Sequence, residues 1–334
     1  MTTTLRRRHL LALAAALPAA AAAARAQGAG PNGWAPDRPP RLVAGFAPGG
    51  SADLVARLAA AEMAKALGQQ VVVENRTGAA GNIATQAVVQ AEPDGHTLGF
   101  AGLQLATNPA MIASLGYDPE RDLQMVGQLT ALPVLAVASA NSTIRTMPEL
   151  IERLKAKGDP LLVASGGYGT SSHLGPEMLS RAVGGRYAPV LYRGGAPAFQ
   201  AVMAGEVEVM FDIAAGYHAS AAKDGRVRLL ALLQGEREPA LPEVPAIAEF
   251  GLGAEAQMRS WQGIFVRSGT PAPVLAALHS AVTGAVAAPE VQRRFRELGI
   301  APVASPSPEA FQAFYLAELA RWSGLIRTAG ITAQ

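Results

Sequence analysis

The chain has 334 residues, half of them hydrophobic and 16% charged, which excludes intrinsic disorder and leaves room for two ordinary domains. It contains no cysteine, so disulfides, thiolate chemistry and cysteine-ligated zinc are excluded. The formal charge of +2 arises in the first 26 residues; without Arg6, Arg7, Arg8 and Arg25 the chain keeps 24 basic against 26 acidic residues and only 5% aromatics, which excludes a nucleic-acid groove.

Residues 1–26 read as an export signal peptide. Arg6-Arg7-Arg8 is a cationic start, and Leu10 to Ala24 is an unbroken apolar run. At 1.5 Å per residue that run spans roughly 22 Å, short of the ~30 Å of a bilayer core. Ala24-Arg25-Ala26 places small residues where a signal peptidase reads them, so cleavage is expected between Ala26 and Gln27, with delivery to the periplasm. Arg7-Arg8-His9-Leu10-Leu11 also fits a twin-arginine signal, and the sequence leaves the export route open. Residues 27–40, rich in glycine and proline, read as a short disordered lead-in.

Strand and helix signals then alternate. Arg41–Phe46, Val71–Glu74 and Thr97–Ala101 read as strands, with helices over Ala52–Leu67 and Asn82–Gln90. This rhythm predicts a parallel sheet with helices on both faces. A second set opens with a strand at Leu132–Ala138 and a capping box, Thr146 to Glu149, that starts a helix running to Lys157. Strands at Leu161–Ala164, Tyr187–Leu191, Val207–Phe211 and Arg228–Leu233 follow, with helices at Ser172–Val183 and Ala196–Ala204. A strand at Trp261–Val266 and helices at Pro271–Ala287, Pro289–Leu298 and Pro308–Arg327 close the chain. The class is α/β. Two lobes are expected, residues 41–131 with 257–334 forming the first and 132–256 the second.

Glycine- and hydroxyl-rich turns recur just past the strands: Ala47 to Ser51, Thr77 to Gly81, Ser165 to Ser172, and Arg193 to Gly195. In open α/β sheets ligands bind outside the carboxyl ends of the strands. Each turn also opens a helix, whose free N–H groups and dipole favour an anion. One such turn alone is a capped βα loop; four in one chain argue for a carboxylate or phosphate cradle.

The same loops lack enzyme signatures. No glycine-rich turn ends in Lys-Ser/Thr, Ser165 is not in Gly-x-Ser-x-Gly, and the histidines have no metal-ligand spacing. His173 follows a hydroxyl-rich loop and reads as a turn cap or ligand donor before it reads as a base for Ser171 or Ser172. Asp53, in the first turn of its helix, reads as a residue that orders its own loop, with ligand contact as the alternative. Asp212 has the same choice between a loop tie and a ligand ammonium.

Several segments occur in the order of one known family: Phe46-Ala47-Pro48-Gly49-Gly50-Ser51-Ala52-Asp53, Val72 to Asn82 (VVENRTGAAGN), Pro93-Asp94-Gly95-His96, Gly169-Thr170-Ser171-Ser172-His173-Leu174, Tyr192-Arg193-Gly194-Gly195 and Met210-Phe211-Asp212. From Arg41 onward the chain resembles the Bug (TctC-like) extracytoplasmic solute receptors of tripartite tricarboxylate transporters. The resemblance implies a two-lobe periplasmic binding protein of type II, with a ligand cleft between the lobes and no cofactor, metal or catalysis. It implies a small carboxylated ligand, membrane permease subunits as partners, no nucleic acid, and a monomer.

By the same resemblance the ligand carboxylate is held by the loop around Phe46, Ala47, Gly49, Gly50 and Ser51, near Asp53, and by Gly167, Thr170, Ser171, Ser172 and His173. Gly102, Gln104, Asn108, Tyr192, Gly194 and Asp212 shape the rest of the pocket. Gly45 replaces a frequent proline, Ser51-Ala52 a frequent Gly-Thr or Gly-Ser, and Ile213-Ala214-Ala215 a common Asn-Leu-Pro. Two other functions compete: a receptor that reports to a signalling partner, and an exported serine hydrolase using Ser171 or Ser172 with His173.

Overall fold

The computed structural model describes residues 33–239, 241–298 and 300–330; the Ser51 and Ala329 side chains, and the leader at 1–26, lie outside the described part. Its strands are β1 (Arg41–Ala44), β2 (Val72–Asn75), β3 (Thr97–Gly102), β4 (Leu123–Ser139), β5 (Leu161–Ser165), β6 (Tyr187–Leu191), β7 (Val209–Ile213), β8 (Val227–Leu232), β9 (Arg259–Arg267) and β10 (Ala301–Pro302). Its helices are α1 (Ser51–Leu67), α2 (Asn82–Val89), α3 (Gln104–Met111), α4 (Met147–Lys155), α5 (Ser171–Val183), α6 (Gly195–Ala204), α7 (Gly216–Lys223), α8 (Ala272–Ala287), α9 (Pro289–Glu297) and α10 (Pro308–Ala329).

The strands lie in the order β2-β1-β3-β9-β4-β7-β5-β6, with β8 and β10 also paired to β4. β4 joins the two halves. Up to Pro133 it pairs antiparallel with β9, and from Val134 it pairs antiparallel with β7. Proline has no N–H to give a ladder, and Pro133 stands at the exchange of partners, where its carbonyl takes the Ala214 N–H at 2.9 Å. Beyond it Val134, Ala136 and Ala138 face one core and Leu135 and Val137 another, the period of a strand buried on both sides.

The sheet is mixed, which corrects the parallel arrangement expected from the βα rhythm. β1 runs parallel to β2 and β3, and β5 to β6 and β7, but β9 is antiparallel to both β3 and β4. The chain enters β9 from the second half of the sheet, so that strand runs back across the first.

Helix packing follows the apolar spacing. In α1, Val55, Ala56, Ala59, Ala60 and Met63 are buried on one stripe, and in α8 Leu278, Ala281, Val282 and Ala285 form another. Both belong to one core with Leu42, Leu98, Ile264 and Phe295, so the chain's last helices return to its first strands. Each fully buried large side chain there stabilises the fold by about 1.5–3 kcal/mol. α1 stops at Gly68, whose φ of 69° is the left-handed conformation a helix end adopts. The capping box at Thr146 and Glu149 forms as expected, and opens α4. α10 lays Phe311, Tyr315, Leu319, Trp322 and Ile326 into the core that runs beneath both halves of the sheet.

Residues 33–40, assigned to the disordered lead-in, are ordered. Asp37 lies 3.0 Å from His96 Nε2 and Arg38 bonds Asp94 at 2.8 Å. Trp34 meets the His96 ring edge-on at 5.8 Å and packs on the core of α1 and α8, which outweighs the local glycine and proline content.

Candidate ligand-binding cleft

The loops after β1, β3, β5 and β6 meet around one cavity of about 120 Å³. Its wall carries the first residues of four helices: Gly50 and Ala52 of α1, Leu103 and Gln104 of α3, Thr170 to Ser172 of α5, and Gly194 to Ala196 of α6. The leading N–H groups of a helix lack intrahelical acceptors and carry its positive dipole end. Their convergence offers backbone donors to an anion, and no Lys, Arg or His lies among the described residues lining the cavity. Phe100, Ile213 and Trp261 add apolar surface to the wall, beside Ser260 and Gln262.

Each loop is fixed from behind. Asp53 Oδ2 accepts the Gly49 N–H and the Arg57 Nε, both at 3.0 Å, and Oδ1 accepts Asn75 Nδ2 at 3.0 Å. Asn75 also donates to the Phe46 carbonyl. Burial pushes the Asp53 carboxyl up, but the hydrogen bonds from Arg57, Gly49 and Asn75 outweigh it and hold it below its ordinary value. Asp53 therefore orders the loop and does not reach the cavity wall.

In the loop after β5 the hydroxyls divide. Ser172 Oγ accepts the Gly166 N–H at 2.8 Å and lies 2.8 Å from Thr170 Oγ1, which in turn donates to the Gly167 carbonyl at 2.7 Å. Ser171 Oγ makes no hydrogen bond among the described residues, and Ser171 lines the cavity. One hydroxyl of three is left to donate inward.

His173 is buried and turned away from the cavity. Its Nδ1 accepts the Gly169 N–H at 3.3 Å, and its ring packs edge-on to Tyr168 at 5.0 Å. No hydrogen bond joins it to Ser171 or Ser172 among the described residues, so the nucleophile and base of the hydrolase reading are not assembled. Burial depresses its pKa from the ordinary 6.5, against a smaller opposing effect of Glu177. The unfolded chain takes up the proton first as pH falls, so the stability held by the neutral ring is present above 6.5 and is lost as pH drops through the folded value. The melting point of the wild type should thus fall more steeply between about pH 7 and pH 5 than that of His173→Gln, whose amide oxygen still accepts from Gly169. Equal slopes would contradict this role.

Asp212 does line the cavity, and is tied down as well. Oδ1 accepts the Ile213 N–H at 2.8 Å, Oδ2 accepts the Tyr217 hydroxyl at 2.9 Å, and His218 Nε2 stands 3.4 Å away. His218 Nδ1 accepts the Ala215 N–H, which leaves the proton on the nitrogen facing Asp212. Burial, aided by the Asp212 charge, raises the Tyr217 pKa well above its ordinary value, so Tyr217 stays a donor. A Cβ added to Gly195 would lie 3.2 Å from each Asp212 oxygen, so the carboxylate already faces the start of α6. The starts of α1, α3 and α5 remain for a ligand.

A second cavity of about 590 Å³ adjoins the first at Phe46, Ala47, Gly166 and Gly194. Gly167, Tyr192 and Asn108, expected at the ligand, lie on its wall, as does the loop from Thr77 to Gly81. Ala79 and Ala80 hold φ of 46° and 51°, which costs roughly 1–2 kcal/mol each. Asn108 Nδ2 ties that turn by bonding the Ala80 carbonyl at 3.1 Å. Gly81 lies so close to Gly45 that a Cβ on Gly45 would come 2.6 Å from its Cα.

Of the expected residues, Phe46, Ala47, Gly50, Gly102, Gln104, Thr170, Ser171, Ser172, Gly194 and Asp212 line the first cavity, and Gly49, Asp53 and His173 line neither. Phe100, Tyr217, Ser260, Trp261 and Gln262 were missed; they sit on strands or on α7, outside the glycine-rich turns that marked the site. The lobes touch across the cleft, where Thr107 Oγ1 of α3 donates to the Gly169 carbonyl at 2.8 Å. Among the described residues no cluster of three or more His, Asp or Glu is placed to hold a metal.

Residues 55–331 match the family described as "Tripartite tricarboxylate transporter family receptor". The chain belongs to this family. It is 34% identical over 291 residues to the UPF0065 protein in the tcbD-tcbE intergenic region of Pseudomonas sp. (strain P51), covering 87% of this chain and 86% of that one. The solved structure of the periplasmic binding protein BugD is 32% identical and covers 89% of this chain and 100% of its own, with a TM-score of 0.83. MatC (Rpa3494) from Rhodopseudomonas palustris with bound malate is 34% identical over 87% of this chain and 99% of its own, with a TM-score of 0.81. The family likeness and the geometry agree on a two-lobe periplasmic binding protein fold with its cleft between the lobes.

Proposed function

We propose that this family member is a periplasmic receptor that binds a small organic acid in the first cavity and hands it, chemically unchanged, to the permease subunits of a tripartite tricarboxylate-type transporter. The observation that carries the reading is the meeting of helix starts from both sides of the cleft around the Ser171 hydroxyl, which has no hydrogen-bond partner among the described residues. Backbone N–H groups at a helix start bind a carboxylate without a neighbouring cation. The malate bound to MatC supports the same ligand class. In this reading residues 1–26 direct export, 41–131 with 257–334 form one lobe, and 132–256 the other. β4 and the start of β9 are the hinge, and ligand joins the α1 and α5 loops to close it.

The test is to purify the protein natively from its host's periplasm, denature it, and identify the released small molecules by mass spectrometry. A small acid carrying a free carboxylate is expected at near-stoichiometric yield, and re-incubation with fresh protein should return it unaltered. Recovery of a neutral compound, or conversion to a product, would overturn the reading.

A further inference from the structure

Trp261 lines two spaces. It is part of the wall of the ligand cavity, and it borders a further cavity of about 790 Å³ that it shares with Phe314, Glu318 and Arg321 of α10. The residue is paired with Ala131, close to the point where β4 leaves β9 for β7. Phe311, Phe314 and Tyr315 of α10 all meet its ring edge-on, at 5.8, 5.6 and 6.4 Å.

Edge contacts of this kind hold the ring by its apolar faces and edges and leave the indole N–H to find a polar partner. The polar anchor is Glu318. Its Oε2 accepts the Trp261 Nε1–H at 3.3 Å and the Trp322 Nε1–H at 2.9 Å, while Oε1 pairs with Arg321 at 3.3 Å. The Glu318 side chain is 12% exposed and Trp261 is 2% exposed, so the bonds to this carboxylate form largely out of water, where charge-assisted bonds are strong.

We propose that Glu318, which does not touch the ligand cavity, is a positioning residue for it: from the C-terminal helix it fixes the Trp261 indole and so sets the shape of the wall that Trp261 contributes and the acids that fit there. This rests on the reading of the first cavity as a carboxylate site. The carboxylate grips two indoles at once, so loss of the acceptor frees Trp261 and Trp322 together. A cavity wall held by one shared acceptor transmits a change on α10 to ligand choice, as positioning contacts behind a binding site do.

The experiment follows the indole N–H resonances of uniformly 15N-labelled protein. The chain has Trp34, Trp261 and Trp322, each assigned by a Trp→Phe replacement. Butyrate, succinate, L-malate and adipate are the probes. In the wild type at least one acid should shift the Trp261 resonance and leave Trp34 in place. Glu318→Ala should displace the Trp261 and Trp322 resonances but not Trp34, weaken the best acid about tenfold, and change the order of preference among the four. Glu318→Gln keeps a carbonyl acceptor and should recover most of the affinity, which also guards against a folding defect in the alanine variant. If Glu318→Ala moves both resonances while all four affinities stay within about twofold of wild type, the positioning role is wrong and the cavity reading stands. If no acid shifts Trp261 in the wild type, the carboxylate reading itself fails.

Discussion

Gly166→Ala is expected to weaken ligand binding by roughly 5- to 150-fold, from the 1–3 kcal/mol that overpacking typically costs. An added Cβ would lie 2.8 Å from the Gly194 carbonyl carbon and 2.8 Å from the Gly195 nitrogen. Both are backbone atoms, so no side-chain rotation relieves the contact and the start of α6 must move. Gly166 itself lacks the positive φ of Gly167 and Gly169, so alanine suits its backbone and the whole effect is steric. Titration calorimetry with the recovered acid measures the loss. Gly284→Ala in α8, where nothing lies within 4 Å of the new methyl, should leave affinity unchanged and raise the melting point. An unaltered affinity in Gly166→Ala would mean that the α6 start does not shape the site.

The neighbouring serines should respond in opposite ways. Ser171→Ala removes a hydroxyl that has no protein partner among the described residues, so the unliganded protein should melt as the wild type does. Hydrogen bonds to charged groups are worth about 1.5–3 kcal/mol, which predicts roughly 10- to 100-fold weaker binding of a carboxylate. Ser172→Ala breaks the bonds to the Gly166 N–H and Thr170 and leaves a donor unpaired beside the cavity. Its melting point should fall by several degrees, in line with an unpaired buried donor costing about 1–3 kcal/mol. A Ser171→Ala variant that loses stability but keeps its affinity would reverse the two roles.

The parts legible in the sequence were those governed by local chemistry. Glycine turns ahead of helices, the capping box at Thr146, and the helical spans of α1 and α8 were read because each depends on residues a few positions apart. The loops that line the cleft were legible for the same reason. Tertiary effects were not. β4 looked like a strand starting at Leu132 because Pro133 interrupts it and register shifts near Gly127 and Thr130 break its alternation. α3 was not marked as a helix, since it spans only Gln104–Met111 and holds Pro109. α7 is rich in Gly, Ala and Ser with little apolar contrast, which hid Tyr217 and His218. The direction of β9 follows from where the chain arrives, and no local pattern encodes that. Ser171, Ser172 and Thr170 are chemically alike in sequence; only their partners in three dimensions separate the donor that faces the cavity from those that hold the loop.

The central claim is that a free carboxylate is what the converging helix starts recognise. Calorimetric titration of the acid recovered from the native protein, set against its methyl ester, tests this most directly. Esterification removes the negative charge and nothing else of the carbon skeleton, so the ester should bind about 100-fold more weakly or not at all, the loss expected when two charge-assisted hydrogen bonds go. An ester that binds as tightly as the acid would contradict the account.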